Sequence, residues 1–378
     1  MIYLDNNATT PVDPEVSDAV FASLRRDMGN PSSSHLPGRR VKEAIEQNRL
    51  RVAGLIGCSP SEIFFTSGGT ESNNLALIGT ALAMKKGHIL ISAIEHPSVS
   101  QACRYLEGLG FMVSEAHVDA DGRVLTGDLV KALRKDTFLV SVMHSNNETG
   151  AIQPVEEIGK ICRERGIIFH TDAAQTIGKA PFSVGSSADL ATIVSHKFYG
   201  PKGIGALYVR QGVQLRPILY GAGHEQGMRP GTENVAGIAG IGKASEIAVR
   251  DMKLRVSHTG GLRDLLYAGL RSALPDITVN AEKALRLPNT LSLRIPGIRA
   301  QELVEHLKDQ VAFSAGSACH SGACSPSGVL KKMGLSDEEA LSSVRLSVGK
   351  DNTAEEIAAA TGLIVTAVLT LRKTASST

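Results

Sequence analysis

The sequence predicts an α/β fold with a mostly parallel sheet, and three observations carry that prediction. Short β-rich runs alternate with helical stretches from about residue 39 to about residue 208, the pattern of a layered α/β domain. The residues just past those runs are polar and chemically versatile, and the carboxyl ends of parallel strands are where such sheets place their ligands. Beyond about residue 234 the pattern changes: one long helical stretch to 273 leads into a second set of strand-like segments.

In order, the first set of runs is Phe64 with Phe65, HILIS from His88, TFLVSVMH from Thr137, IIFHTD from Ile167, LATIVS from Leu190 and GALYV from Gly205. Thr66 to Thr70, Glu95 with His96, His144 to Glu148, Asp172 to Gln175 and Ser195 to Lys197 follow five of them, so five strand ends are expected to converge on one site. The second set is ITVNA, NTLSLRI and SVRLSV, alternating with helices as in a smaller α+β domain. Ser336 with Glu339 and Thr353 with Glu356 are capping boxes that start two of those helices. The last helix is expected to run to about Arg372, with KTASST as a frayed tail. No internal repeat or low-complexity segment interrupts this plan.

A chain of 378 residues exceeds what a single core fills, so two domains are expected, 15–255 and a smaller one formed by 1–14 with 256–378. Forty Lys plus Arg against 38 Asp plus Glu gives a net charge of +2 with no basic block, which argues against nucleic acid as a direct partner. The opening MIYLDNNATTP has neither a basic nor an apolar export region, and apolar stretches elsewhere are interrupted well short of about 18 residues, so a soluble, cytoplasmic protein is expected. Five cysteines are too few, and odd in number, for a disulfide framework. Cys58, Cys103 and Cys162 lie in or beside apolar helix-like stretches and read as packing residues. Cys319 and Cys324 sit apart, in a loop of small residues.

Three motifs carry the chemistry. TSGGTESNN, from Thr66, follows a strand and opens a helix; its glycines let the backbone approach an anion, and the helix N-terminus favours a phosphate. The same turn could be only a tight connection. HTDAAQ places Asp172 beside a strand end, where a carboxylate either caps the following turn or pairs with a pyridinium nitrogen and keeps it protonated. SHKFYGPKG places Lys197 at the end of another strand, either as a solvated charge or as an amine desolvated enough to react with an aldehyde. The order of Gly/Thr loop, His96, Asp172 and Lys197 on successive strands is far more specific than any one of them and points to pyridoxal 5'-phosphate.

These residues also carry a resemblance. DNNATTP at 5, GNPSSSH at 29, FTSGGTESNN at 65, EHPSV at 95, HSNNETG at 144, HTDAAQ at 170, SHKFYGPKG at 195, GHEQGMRPGTEN at 223, SAGSACHSG at 314 and VRLSVG at 344 resemble the cysteine desulfurases over nearly the whole chain. The resemblance implies the fold-type I architecture of pyridoxal-phosphate transferases, with a large domain on a mostly parallel seven-stranded sheet, and a homodimer with its active site at the subunit interface. It implies that Lys197 bonds the cofactor, His96 stacks on its ring, Asp172 binds the ring nitrogen, and Asn147 and Gln175 address the ring oxygen and the substrate. Gly69, Thr70 and His196 would hold the phosphate, with Thr232 reaching in from the partner subunit. Arg345 would clamp the substrate carboxylate, a planar bidentate task suited to arginine; its alternative is a surface ion pair. One position departs from the family: Val194 stands where a phosphate-binding serine is usual, three residues before the lysine. Ser195 could take over only if its side chain left the face opposite to that of Val194.

The cofactor explains how bonds around Cα loosen but not where sulfur goes. In SAGSACHSGACSPSG, Cys319 with His320 as its neighbour matches the family's sulfur acceptor. The implied reaction has Lys197 take the Cα proton of L-cysteine, the Cys319 thiolate attack the substrate sulfur, and alanine leave. Cys324, five residues on, is read as a bystander, with a resolving thiol or a persulfide relay as alternatives; a zinc site lacks a fourth ligand at ordinary spacing. Selenocysteine lyase is the nearest rival activity, and Pro97 after His96, where its selenium-specific members carry an acid, favours cysteine. A transaminase would leave the Cys319 loop without a role. A non-catalytic dimer presenting a persulfide would need none of Lys197, Asp172 and Arg345. The acceptor of the sulfur, an iron–sulfur scaffold, a thiolation relay or a DNA-modification system, is not named by the sequence.

Overall fold

The computed structural model describes residues 1–185, 187–316, 319–320 and 323–375, without the side chains of 319, 320, 323, 324 and 375. The chain forms the α/β layer that its periodicity predicts. Seven strands lie in the spatial order Ile63–Thr66, Gly205–Val209, Leu190–Val194, Ile168–Asp172, Thr137–Ser141, His88–Ser92 and Met112–Ala116. Gly205–Val209 runs antiparallel to both neighbours, and the other pairings are parallel. The central runs are β-branched and aromatic because both faces are covered: every residue of Leu190–Val194 and Thr137–Ser141 is buried.

The strand Met112–Ala116 escapes the sequence reading. It is an edge strand, half exposed, and its MVSEA mixes polar residues into the run, so neither alternation nor a continuous apolar stretch marks it. Helices pack on both faces. Leu36–Ile56 shows how locally they are specified: the His35 ring accepts from the Gly38 amide at its start, Pro37 sits in its first turn, and Gly57 in the left-handed region ends it.

The long helix Val235–Ala273 joins two cores. Its Ile238, Ile241, Ala244 and Ile247 pack with the large sheet, whereas Leu262, Leu266 and Leu270 belong to a second cluster around Leu291, Leu293, Val344 and Leu346. There a four-stranded antiparallel sheet has the order Ser314–Ala315, Ser343–Ser347, Thr290–Arg294 and Thr278–Val279. The N-terminal Ile2–Tyr3 pairs with Val311–Ala312, and Leu4 is buried in the same cluster. Both capping boxes form, with Glu339 and Glu356 accepting from the Ser336 and Thr353 amides. The last helix runs to Ala375, past the expected end at Arg372, so Lys373 belongs to the helix and not to a frayed tail. By length and composition the stretch Ala354–Thr374 is also apolar enough to cross a membrane, which the search for uninterrupted apolar runs missed. Its Ile357, Ala360, Ile364, Ala367 and Val368 are buried in the second core.

Candidate active site

A cavity of about 390 Å³ opens where the strand ends meet, as the topology requires. Gly69, Thr70, His96, Asn147, Asp172, Gln175, His196 and Lys197 line it from the side of the large sheet, and Arg345 enters from the strand Ser343–Ser347 of the four-stranded sheet. Thr232 does not join them: it is exposed, beside a separate cavity of about 180 Å³ lined by Thr66, Ser67 and Arg229. For Cys319 the backbone is described, paired antiparallel with Cys324 in register, but both side chains lie outside the described residues.

Lys197 sits on a one-turn 3₁₀ segment, Ser195–Lys197, because the strand stops at Val194. Its Nζ donates to the carbonyl oxygens of Asn7 at 2.9 Å and Ala8 at 2.7 Å. Burial, reinforced by the Arg345 charge and opposed by Asp172 and Asp5, brings its pKa down to about 8. An amine in that range has a reactive free-base fraction near neutral pH. Asp172, 7 % exposed, accepts from Asn73 Nδ2 at 2.7 Å and from the Ala174 amide at 3.0 Å. It anchors the following turn, the first of the two roles that the sequence left open, and it lines the cavity where the second would be played.

His96 caps the helix Pro97–Gly108, with Nδ1 accepting from the Ser98 amide at 3.1 Å. Burial lowers its pKa, Asp172 opposes, and Lys197 adds to the lowering. Asn73 ties these groups together: its Nδ2 reaches Ser98 Oγ at 2.8 Å as well as Asp172, and its Oδ1 accepts from Thr192 at 2.6 Å. Sequence reasoning passed over Asn73 although it lies inside the TSGGTESNN motif, because nothing in one helix turn reveals a contact with a residue 99 positions away.

The far end of the cavity is built for an anion. The helix Gly69–Met84 begins there with Gly68 as its N-cap and no side chain capping it, so its first amides are open. A Cβ on Gly69 would lie 2.8 Å from Val194 Cγ2, so glycine is needed for the close approach. Burial and the charges of Lys197, Lys202 and Lys179 push the His196 pKa down to about 4, a sign of local positive potential. An amine, a histidine, a carboxylate and an uncapped helix N-terminus around one cavity together fit pyridoxal phosphate.

Ser195 does not replace the missing serine. Its Oγ is buried without a hydrogen-bond partner among the described residues and lies 2.0 Å from where a Cβ on Gly200 would be, under the following turn, while Val194 lines the cavity. Val194→Ser is therefore expected to slow pyridoxal-phosphate loss on dialysis by about tenfold or more, the worth of one hydrogen bond to a charged group.

Arg345 is 9 % exposed and does form an ion pair, with Asp5 at 2.7 Å, but it is a buried one. Its Nη2 also donates to Ser314 Oγ at 2.8 Å and its Nη1 to the Asn147 carbonyl at 3.1 Å, leaving Nε without a partner among the described residues. A guanidinium fixed at three points on the cavity wall, with one Nη1 hydrogen bond made and Nε itself buried, presents a preset cationic plane to a ligand carboxylate. Arg345→Lys keeps the charge but loses the fork, and is expected to raise the KM for L-cysteine by about 10- to 100-fold with a smaller change in kcat, measured by steady-state alanine formation.

Cys58, Cys103 and Cys162 are the free cysteines of described side chain. Burial pushes each thiol pKa up to about 12, which makes them inert packing groups.

Comparison with known proteins agrees with this geometry. The aminotransferase class-V family profile matches residues 2–359. A protein named cysteine desulfurase IscS from Dictyoglomus turgidum is 44% identical over 360 residues, 94% of this chain and 91% of its own length. One of the same name from an Anaeromyxobacter species is 45% identical over 378 residues, 98% of this chain and 93% of its own. Among solved structures, a NifS-like protein superposes with a TM-score of 0.91 at 39% identity, covering 98% of this chain and 99% of its own. SspA in complex with cysteine does so at 0.80 and 33% identity, covering 93% and 100%. The chain belongs to the aminotransferase class-V family, among relatives that are named cysteine desulfurases.

Proposed function

We propose that this protein is a pyridoxal-phosphate-dependent cysteine desulfurase that converts L-cysteine to L-alanine and takes the sulfur onto Cys319. The observation that carries the reading is the shared cavity of Lys197, Asp172, His96 and Arg345. When bound, pyridoxal phosphate supplies an electron sink that makes the substrate Cα proton acidic. The open amides at Gly69 and Thr70, with His196, would hold its phosphate. Asp172 would keep the ring nitrogen protonated, and His96 would cover the ring face. Gln175 and Asn147 would address the ring oxygen and the substrate, and Arg345 would take the substrate carboxylate. Lys197, as a free amine, would remove the Cα proton. The Cys319 thiolate then attacks the substrate sulfur: a new S–S bond forms, the Cβ–S bond breaks with its electron pair left on carbon, and protonation there yields alanine. The balance is one cysteine and one enzyme thiol giving one alanine and one persulfide, with no external oxidant.

We also propose a cytoplasmic homodimer that divides into 15–255 and 1–14 with 256–378, and that passes its sulfur to an acceptor protein such as an iron–sulfur scaffold or a thiolation relay. The exposure of Thr232 away from the cavity supports a role for it toward a second subunit. A single-turnover reaction with L-cysteine tests the reaction. One alanine per site is expected, with one added sulfur located by mass spectrometry on the peptide that carries Cys319. A keto-acid product, or sulfur on another cysteine, would overturn the assignment.

A further inference from the structure

Lys179 is buried, 7 % exposed, and does not line the cavity. Its position follows from the turns after Asp172: Ile177 and Thr176 amides return to the Ala173 carbonyl, and the Lys179 amide to that of Thr176. Gly178 makes this path possible. Its φ is +73°, and a Cβ there would lie 2.5 Å from Cβ of Phe198, the residue after Lys197. The chain thus folds Lys179 back beneath Gln175, four residues earlier.

Both hydrogen bonds of Lys179 go to side-chain amide oxygens, Gln175 Oε1 at 2.7 Å and Asn7 Oδ1 at 3.0 Å. The charged groups that act on it, Lys197 and Arg345, are cations, and with burial they hold its pKa well below the usual lysine range. A buried lysine beside two other cations is costly to keep, and an ordinary core position would carry an apolar residue.

Its chemistry offers what an apolar residue does not. The two ends of a glutamine amide have nearly the same shape, so packing alone leaves its oxygen and nitrogen interchangeable. A lysine nitrogen donating at one end, together with the Asn7 carbonyl accepting at the other, breaks that symmetry. The Gln175 oxygen faces Lys179, and its NH₂ faces the other way, where it donates to the Asn7 carbonyl at 2.9 Å. That carbonyl also receives Lys197 Nζ at 2.9 Å. Asn7 is fixed by the same lysine and by Asn289, Thr290, Ser347 and Asn147 around it, so the amide and the reactive amine share one rigid reference point.

We infer that Lys179 is a positioning residue that fixes the Gln175 amide with its NH₂ toward Lys197 and the cavity, so that Gln175 meets the bound cofactor as a hydrogen-bond donor. The inference rests on the reading of the cavity as a pyridoxal-phosphate site and adds to it the polarity of one of its contacts. An anionic ring oxygen needs a donor; a flipped amide would present a carbonyl oxygen to it and repel it.

The test uses the full-length protein with Lys179→Met, Gln175→Leu and the double variant. Apo protein is titrated with pyridoxal phosphate, the absorption spectrum of the bound form is recorded, and thermal unfolding is followed in parallel. Lys179→Met is expected to weaken pyridoxal-phosphate binding by about tenfold, shift the absorption maximum, and lower kcat while leaving the KM for L-cysteine within about twofold. In the Gln175→Leu background the same substitution is expected to change neither affinity nor spectrum further, because the amide it orients is gone. If Lys179→Met does not fold, Lys179→Gln, shorter and still polar, is read in the same cycle with the same loss of additivity expected. Additive effects, or a wild-type spectrum and affinity in the single variant, would assign Lys179 to scaffold stability alone and overturn the inference. Failure of the wild-type protein to take up pyridoxal phosphate would instead overturn the cofactor reading and this inference with it.

Discussion

Lys197→Ala is expected to lower the single-turnover rate of alanine formation from L-cysteine by about 10⁴-fold, because in the proposed reaction it removes both the cofactor attachment and the base for the Cα proton. The open helix amides at Gly69 and Thr70, proposed to take the phosphate, do not depend on the lysine side chain, so the variant should still take up pyridoxal phosphate without bonding it. Retained uptake with lost turnover separates a missing amine from a collapsed site. The wild-type amine also sets a pH dependence. Burial and the Arg345 charge depress its pKa to about 8, and the free base is the nucleophile, so its fraction grows about tenfold per unit as pH rises toward that value and levels off above it. Capture of pyridoxal phosphate by the apo protein, followed by absorbance, should rise along that curve. A rate still climbing steeply above pH 9 would show an amine that is not desolvated.

Cys319→Ala is expected to reduce alanine release by about 10³-fold while leaving binding of L-cysteine intact, since the nucleophile acts only after the substrate is in place. No other described cysteine can substitute for it. Cys58, Cys103 and Cys162 have thiol pKa values pushed up to about 12 by burial, so at pH 8 only about one in 10⁴ of each is thiolate. Cys324→Ala is expected to retain turnover, in keeping with its reading as a bystander. Rapid-quench measurement of alanine in the three proteins decides the matter: loss of turnover in Cys324→Ala, or its persistence in Cys319→Ala, would reassign the acceptor.

Much of this protein is written locally. Strands such as Leu190–Val194 and Ile168–Asp172 were legible because continuous burial demands continuous apolar runs. The site residues at their ends were legible because a glycine-rich turn into a helix, an aspartate closing a strand and a lysine on the turn after one are local patterns with chemical meaning. Met112–Ala116 was not, since an edge strand that is half in water needs no such run. The relation of Ser195 to Val194 was judged from strand alternation; the outcome holds, but the cause is different, because the strand ends and Ser195 is buried beneath Gly200.

The sequence by itself therefore determined the fold class, through periodicity, and the glycine loop, Asp172 and Lys197, through local turn chemistry, while Asn147, Gln175, His196 and Arg345 entered through the family resemblance. Only the tertiary structure decided how those groups are held. Arg345 is oriented by Asp5 across 340 residues, Gln175 by Asn7 across 168, and Asp172 by Asn73 across 99. No short-range pattern announces such pairs, because a hydrogen bond depends on where the completed fold brings two atoms and not on their spacing along the chain.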